Sequence, residues 1–232
     1  MLLPVHPQLD HPTAAGPLVL DLRYGLRLWG PDDASPGLRV PDAVALGAGD
    51  LLLGAAAADA LARDPGAGWA GFLDRLDDPT PVLLGGAAHR PEELLARVAA
   101  AAAGPLAELW LVPPAWLSRP GRDRLTVALA GAGLPLPRLV DDVEVELGPC
   151  PDRQDAAHVL VQVGPRSTVA RRVTATPVGW HVTATANGPV GTDDLDDAVV
   201  AFVAARLSGR RGALAAGDGW ALRSACTDGR RR

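Results

Sequence analysis

Apolar residues along this chain fall into two patterns. Short continuous runs, as in LVLDL at 18–22, LAELWLV at 106–112 and VLVQV at 159–163, predict buried strands. Apolar positions recurring every three or four residues predict helices. LRLW at 26–29 reads as the hairpin partner of the first strand. AVALGAGDLLL at 43–53 predicts a second hairpin, turning at Gly47 to Asp50. AAAADALAR at 55–63 predicts a short helix that Pro65 stops. Residues 64–90 are rich in Gly and Pro, with one strand expected at Val82 to Leu84.

A helix is expected over 91–103, with Pro91 at its first position and Glu92 and Glu93 in its first turn, where the N-terminal dipole favours acids. Another is expected over 118–132, capped by Ser118 ahead of Pro120 and closed by Gly131 and Gly133. LPRLV at 136–140 then returns as a strand. Alternation of strand and helix after an antiparallel start indicates an α/β lobe. The acidic, Pro-containing stretch 141–157 reads as a connection. Beyond it come strands at 159–163, 167–175 and 179–186, then a helix from about Asp193 to Leu207 with Leu195, Val199, Phe202 and Val203 on one stripe.

The expected division is a disordered segment at 1–16, a first lobe at 17–145, a linker at 146–157 and a partial second lobe at 158–232. Lobes of about 100 residues are an ordinary domain size. No apolar run approaches the roughly 18 residues that cross a bilayer, and MLLPVHPQLDHP lacks the basic start of a signal peptide. With only Cys150 and Cys226, a disulfide framework and a CxxC metal site are both excluded, which fits a cytoplasmic location. All 22 basic residues are Arg, and Lys is absent. That removes a Walker A loop and any lysine Schiff base. A net charge of −5 argues against general nucleic-acid binding, and the GRRR tail at 229–232 reads as a solvated end.

In this order the chain resembles the actin (ribonuclease-H-like) fold and, within it, the seventy-kilodalton heat-shock chaperone ATPases. LDLRYGLRLW is similar to their first phosphate hairpin, and HVLVQVGPRSTV to their second. VPDAVAL with LLLGAAA, LVPPAWLSRPGRDRL through Ala132-Gly133-Leu134, and VGTDDLDDAVVAFV resemble further family segments. A closer resemblance is to a degenerate actinobacterial group, the type VII secretion-associated proteins. It is carried by Leu76–Pro79, by Pro113–Trp116 and by the string at 161–166. The resemblance implies a two-lobed α/β fold with a truncated second lobe, since 208–232 is short for the adenosine-binding part of the family.

It also implies a nucleotide cleft lined by Asp21, Arg23, Tyr24, Gly25, Gln162, Gly164, Arg166, Ser167 and Gly191. A phosphate loop needs glycines, so that bare backbone N–H groups reach the oxygens. Arg23 and Tyr24 stand where the family has small residues, Gln162 replaces an acid, and Pro165 removes a donor. The expectation is therefore a decayed site with no cofactor. ATP and magnesium enter only under the alternative of a divergent ATPase that keeps Asp21 and Arg75. Convergence of Arg23 and Arg166 on a small anion is a third reading.

The remaining chemistry has plainer explanations. Asp193, Asp194, Asp196 and Asp197 suit a helix start, with Thr192 as cap. His6, His11, His89, His158 and His181 lack ligand spacing. Trp110, Trp116 and Trp180 suggest core; Trp29, Trp69 and Trp220 lie near loops, where contact anchoring is the alternative to the partial burial expected for most of the six. The function expected is a non-catalytic interaction protein, accessory to type VII secretion. Its partner is a protein, with homo-oligomerisation open and neither nucleic acid nor a membrane span expected.

Overall fold

The computed structural model describes residues 16–30, 37–47, 50–78, 80–149, 157–164 and 166–211, with side chains to Arg206. The chain forms two compact units, Met1–Pro149 and Cys150–Arg232. Both are built from strands and helices, so the protein is α/β.

In the first unit, β1 (Leu18–Asp21) pairs antiparallel with β2 (Arg27–Trp29), which pairs antiparallel with β3 (Leu38–Arg39). β4 (Ala43–Leu46) and β5 (Leu51–Leu53) form the second expected hairpin and lead into α1 (Gly54–Arg63). α2 is Pro91–Ala103 and α3 is Arg119–Gly131, each with proline in its first turn. β9 (Leu109–Val112) joins β1 in parallel, and β10 (Arg138–Leu139) joins β9 in parallel. The resulting sheet runs β10-β9-β1-β2-β3.

The Gly/Pro-rich stretch holds more structure than expected. Short 3₁₀ turns lie at Pro65–Ala67 and Phe72–Arg75, and β6 (Gly68–Ala70) adds to β4. β7 (Val82–Leu84) meets β8 (Ala87–His89) through Gly85 and Gly86, both at positive φ, as a two-residue hairpin turn requires. The 136–140 strand shortens to the two residues of β10. The acidic stretch holds a helix that was not expected: α4 occupies Asp142–Leu147. Asp141 caps it by accepting from Val143 N–H at 2.9 Å, and Asp142 and Glu144 sit in its first turn.

Alternation along the sheet separates two faces. Leu20, Leu28 and Leu111, neighbours across strands, are buried with Leu94, Leu95, Leu125, Leu129 and Phe72 in one cluster. On the opposite face, Asp21 lies beside Arg27, and Arg27 beside Arg39.

The second unit is a three-stranded antiparallel sheet, β11 (Ala157–Val163), β12 (Thr168–Thr176) and β13 (Gly179–Gly188), followed by α5 (Thr192–Arg211). Val169, Val173 and Ala175 are buried. The apolar stripe of α5 does not face a core: Leu195, Val199 and Phe202 are exposed, whereas Asp196 is buried. No helix among the described residues is long and apolar enough to cross a membrane. The expected disordered N-terminal segment, apart from Gly16, lies outside the described residues, as do the tail beyond Arg211, Trp220, His6, His11, Cys150 and Cys226.

Candidate functional site

The first hairpin tip spans residues 22–26 between β1 and β2. Two of its main-chain donors are engaged: Leu22 N–H donates to Val112 O at 3.1 Å, and Arg23 N–H donates to Asp21 Oδ1 at 3.0 Å. The Arg23 side chain folds back on the same carboxylate. Nε donates to Oδ1 at 3.0 Å and Nη2 to Oδ2 at 2.8 Å, a bidentate pair. Nη1 lies 2.9 Å from Glu146 Oε1 on α4, and the Tyr24 hydroxyl donates to that oxygen at 2.6 Å. Gly25 completes the turn at φ +104.

This arrangement follows from burial. Asp21 is only 4% exposed, and a buried carboxylate is tolerated only when paired. Burial by itself would lower the Arg23 pKa; the hydrogen bond and charge of Asp21, with Glu146, outweigh it and hold the guanidinium above its usual value. The Tyr24 hydroxyl is pushed up to about 12, by burial of the hydroxyl end and then by its bond to Glu146. Magnesium with its waters would have to displace Arg23 from both oxygens of Asp21, so these residues do not fit a magnesium–nucleotide group.

Arg75, the cation of the ATPase alternative, is bound elsewhere. Its Nη2 donates to Asp78 Oδ2 at 2.8 Å, and its guanidinium stacks over Trp69 at 5.4 Å. Asp78 also accepts from Thr80 N–H at 2.9 Å. Thr80, first through its side chain and then its backbone, and Arg75 hold the Asp78 carboxyl well below the usual range.

The second hairpin lies in the second unit. Gly164 N–H donates to Ser167 O at 2.7 Å, and Gly164 O accepts from Thr192 N–H at 2.9 Å. Gly191 N–H donates to Asp194 Oδ2 at 2.8 Å, which gives that acid its role at the start of α5. Gln162 is buried and partnered, Ser167 is half-buried, and Arg166 is exposed with Nε 4.0 Å from Asp193. Pro165 lies outside the described residues. The Gly164 and Gly191 amides are thus engaged inside their own unit.

Two constellations carried no recognised signal in the sequence. Glu146 joins Arg23 and Tyr24 from more than a hundred positions away, by tertiary packing alone. Asp77 accepts from Ser118 N–H at 2.7 Å and from Ser118 Oγ at 2.6 Å, tying residues 76–78 to the start of α3. Arg124 reinforces this joint, donating to Leu76 O at 3.0 Å and to buried Glu92 at 3.1 Å. The Leu-Asp-Asp segment therefore has a structural role. Its acid pair ahead of a proline was the available clue.

The tryptophans divide by environment. Trp116 packs partly buried against the first core, and Trp180 meets His158 edge-on at 5.2 Å. Trp110 donates to Glu108 at 2.7 Å, beneath Arg138. Among the described residues, no group of three or more His, Cys, Asp and Glu is gathered that could hold a metal ion. In comparisons with known proteins, no family model matches this chain and no curated protein matches it.

Proposed function

We propose that this chain is an actin-like (ribonuclease-H-like) protein that has kept the phosphate-hairpin framework without its chemistry and acts as a non-catalytic interaction protein. The observation that carries the reading is the ion pair at the first hairpin. Arg23 binds both oxygens of Asp21 and a third oxygen on Glu146, filling the place where phosphate and hydrated metal would sit. Both units open with strand, tight turn and antiparallel strand, which supports the actin-like reading.

The interaction surface is the outer edge of β11. Among the described residues β12 is its only strand neighbour, so its other side is an open sheet edge. Val159, Val161 and Val163 alternate along one face of it and are exposed. Ala157–Val163 contains no Asp, Glu, Arg or Pro, the residues that blunt such edges in monomers. An extended partner segment adding as a fourth strand is the fitting mode. A place on the cytoplasmic side of an actinobacterial type VII secretion system rests on the resemblance of residues 76–79, 113–116 and 161–166. Isothermal titration with magnesium and ATP tests the reading. No heat of binding is expected, and micromolar affinity would overturn it.

A further inference from the structure

Arg27 and Arg39 are direct cross-strand neighbours on β2 and β3, and Asp21 is the neighbour of Arg27 on β1. Side chains opposed in this way share a face, and like charges so placed repel. Asp21 offsets part of the repulsion, but its side-chain hydrogen bonds go to Arg23 and none goes to Arg27 or Arg39. Glu146 is likewise bound to Arg23 and Tyr24. Three arginines thus stand beside two carboxylates, and one arginine takes both.

Among the described residues, neither Arg27 nor Arg39 has an ion-pair partner, and Arg27 Nε is buried with no hydrogen bond at all. Buried donors without acceptors are rare in folded proteins and call for an explanation. Arg39 is exposed and reaches back to the hairpin turn; a methyl group placed on Gly25 would stand 3.9 Å from its Nη2. Three arginines beside two carboxylates leave a local excess of one positive charge on a chain whose net charge is −5, with Arg27 and Arg39 both without an acid of their own.

We infer that Arg27 and Arg39 form an anion site for a phosphoryl group, whether free phosphate or the phosphate of a small metabolite. Guanidinium forks match phosphate oxygens, and one phosphoryl group presents oxygens to two neighbouring arginines at once. The site does not use the amides of the eroded hairpin tip. It stands whether or not the protein is an interaction module.

Titration of the full chain with inorganic phosphate at constant ionic strength tests this, read by the arginine Nε–H resonances and by thermal melting. The Arg27 Nε–H signal is expected to move, and the melting midpoint to rise by roughly 2–4 °C. Arg39→Ala should melt higher than the parent in phosphate-free buffer, because the repulsion is gone, and should lose the phosphate-dependent rise. Arg27→Met should lose that rise as well, and Arg166→Ala should keep it. A stronger response to glycerol phosphate than to phosphate assigns a metabolite; an equal response assigns the free ion. A still Arg27 signal, or a rise that persists in Arg39→Ala, overturns the inference.

Discussion

Arg23 shows how one side chain redirects a site. A small residue after Leu22 would leave Asp21 facing open space at the hairpin tip, whereas arginine closes on it and on Glu146. Removing one partner of a buried pair leaves an uncompensated charge, so Arg23→Ala is expected to destabilise the protein by about 3 kcal/mol in urea unfolding. Replacing both Asp21 and Arg23 with leucine should recover part of that loss, because the buried carboxylate and its partner leave together while Glu146 keeps its bond from Tyr24. Tyr24 gives a pH signature. Its folded pKa of about 12 lies above the unfolded value of 10.0, so its contribution is full below pH 10.0 and fades as the pH rises towards 12. As the only tyrosine, it can be followed through its phenolate absorbance, and Tyr24→Phe should remove the alkaline loss of stability.

Among the elements, α3 depends on a partner outside itself. Ser118 caps it by accepting from Gly121 N–H at 3.2 Å, and Asp77 holds Ser118. A side chain at Gly121 would run into Asp77 and Leu117. Gly121→Ala should therefore cost about 1–3 kcal/mol, by overpacking and by pushing Asp77 off Ser118. Asp77→Ala should cost a similar amount, about 1–2 kcal/mol, through loss of the cap support. Denaturant midpoints check both. Next to it, Asp78 has a depressed pKa, so its share of stability is present above the usual carboxylate range and is lost as the pH falls below it. α5 follows a different logic. Its acids start the helix as expected, yet its apolar stripe of Leu195, Val199 and Phe202 stays exposed, because periodicity reports a face and not what covers it.

For the whole molecule, the two units differ in how completely they bury their apolar surface. The first encloses a continuous core from Leu20 to Leu134. The second leaves Val159, Val161 and Val163 exposed on an edge strand. Val161→Lys should change folding stability by no more than about 0.5 kcal/mol, since the position is solvent-facing. The same change should abolish strand addition by a partner, seen as loss of co-purification beside an unaltered melting curve. Val127→Lys, at an exposed position on α3, should leave co-purification intact.

The sequence alone determined the strand–turn–strand openings, α1, α2 and α3, because apolar period, proline and capping residues act over a few neighbouring positions. It also showed Arg23 and Tyr24 at the tip of the first hairpin, which leave Gly25 alone to offer the bare backbone a phosphate requires. The β7–β8 turn is legible in Gly85-Gly86, and α4 in its acidic first turn. Tertiary structure decided what Asp21 does. Nothing local to residues 21–25 says that Glu146 will arrive beside Arg23, or that Asp77 will hold Ser118. Those contacts join distant segments through burial, and burial of a charge forces a choice of partner that only the folded chain can make.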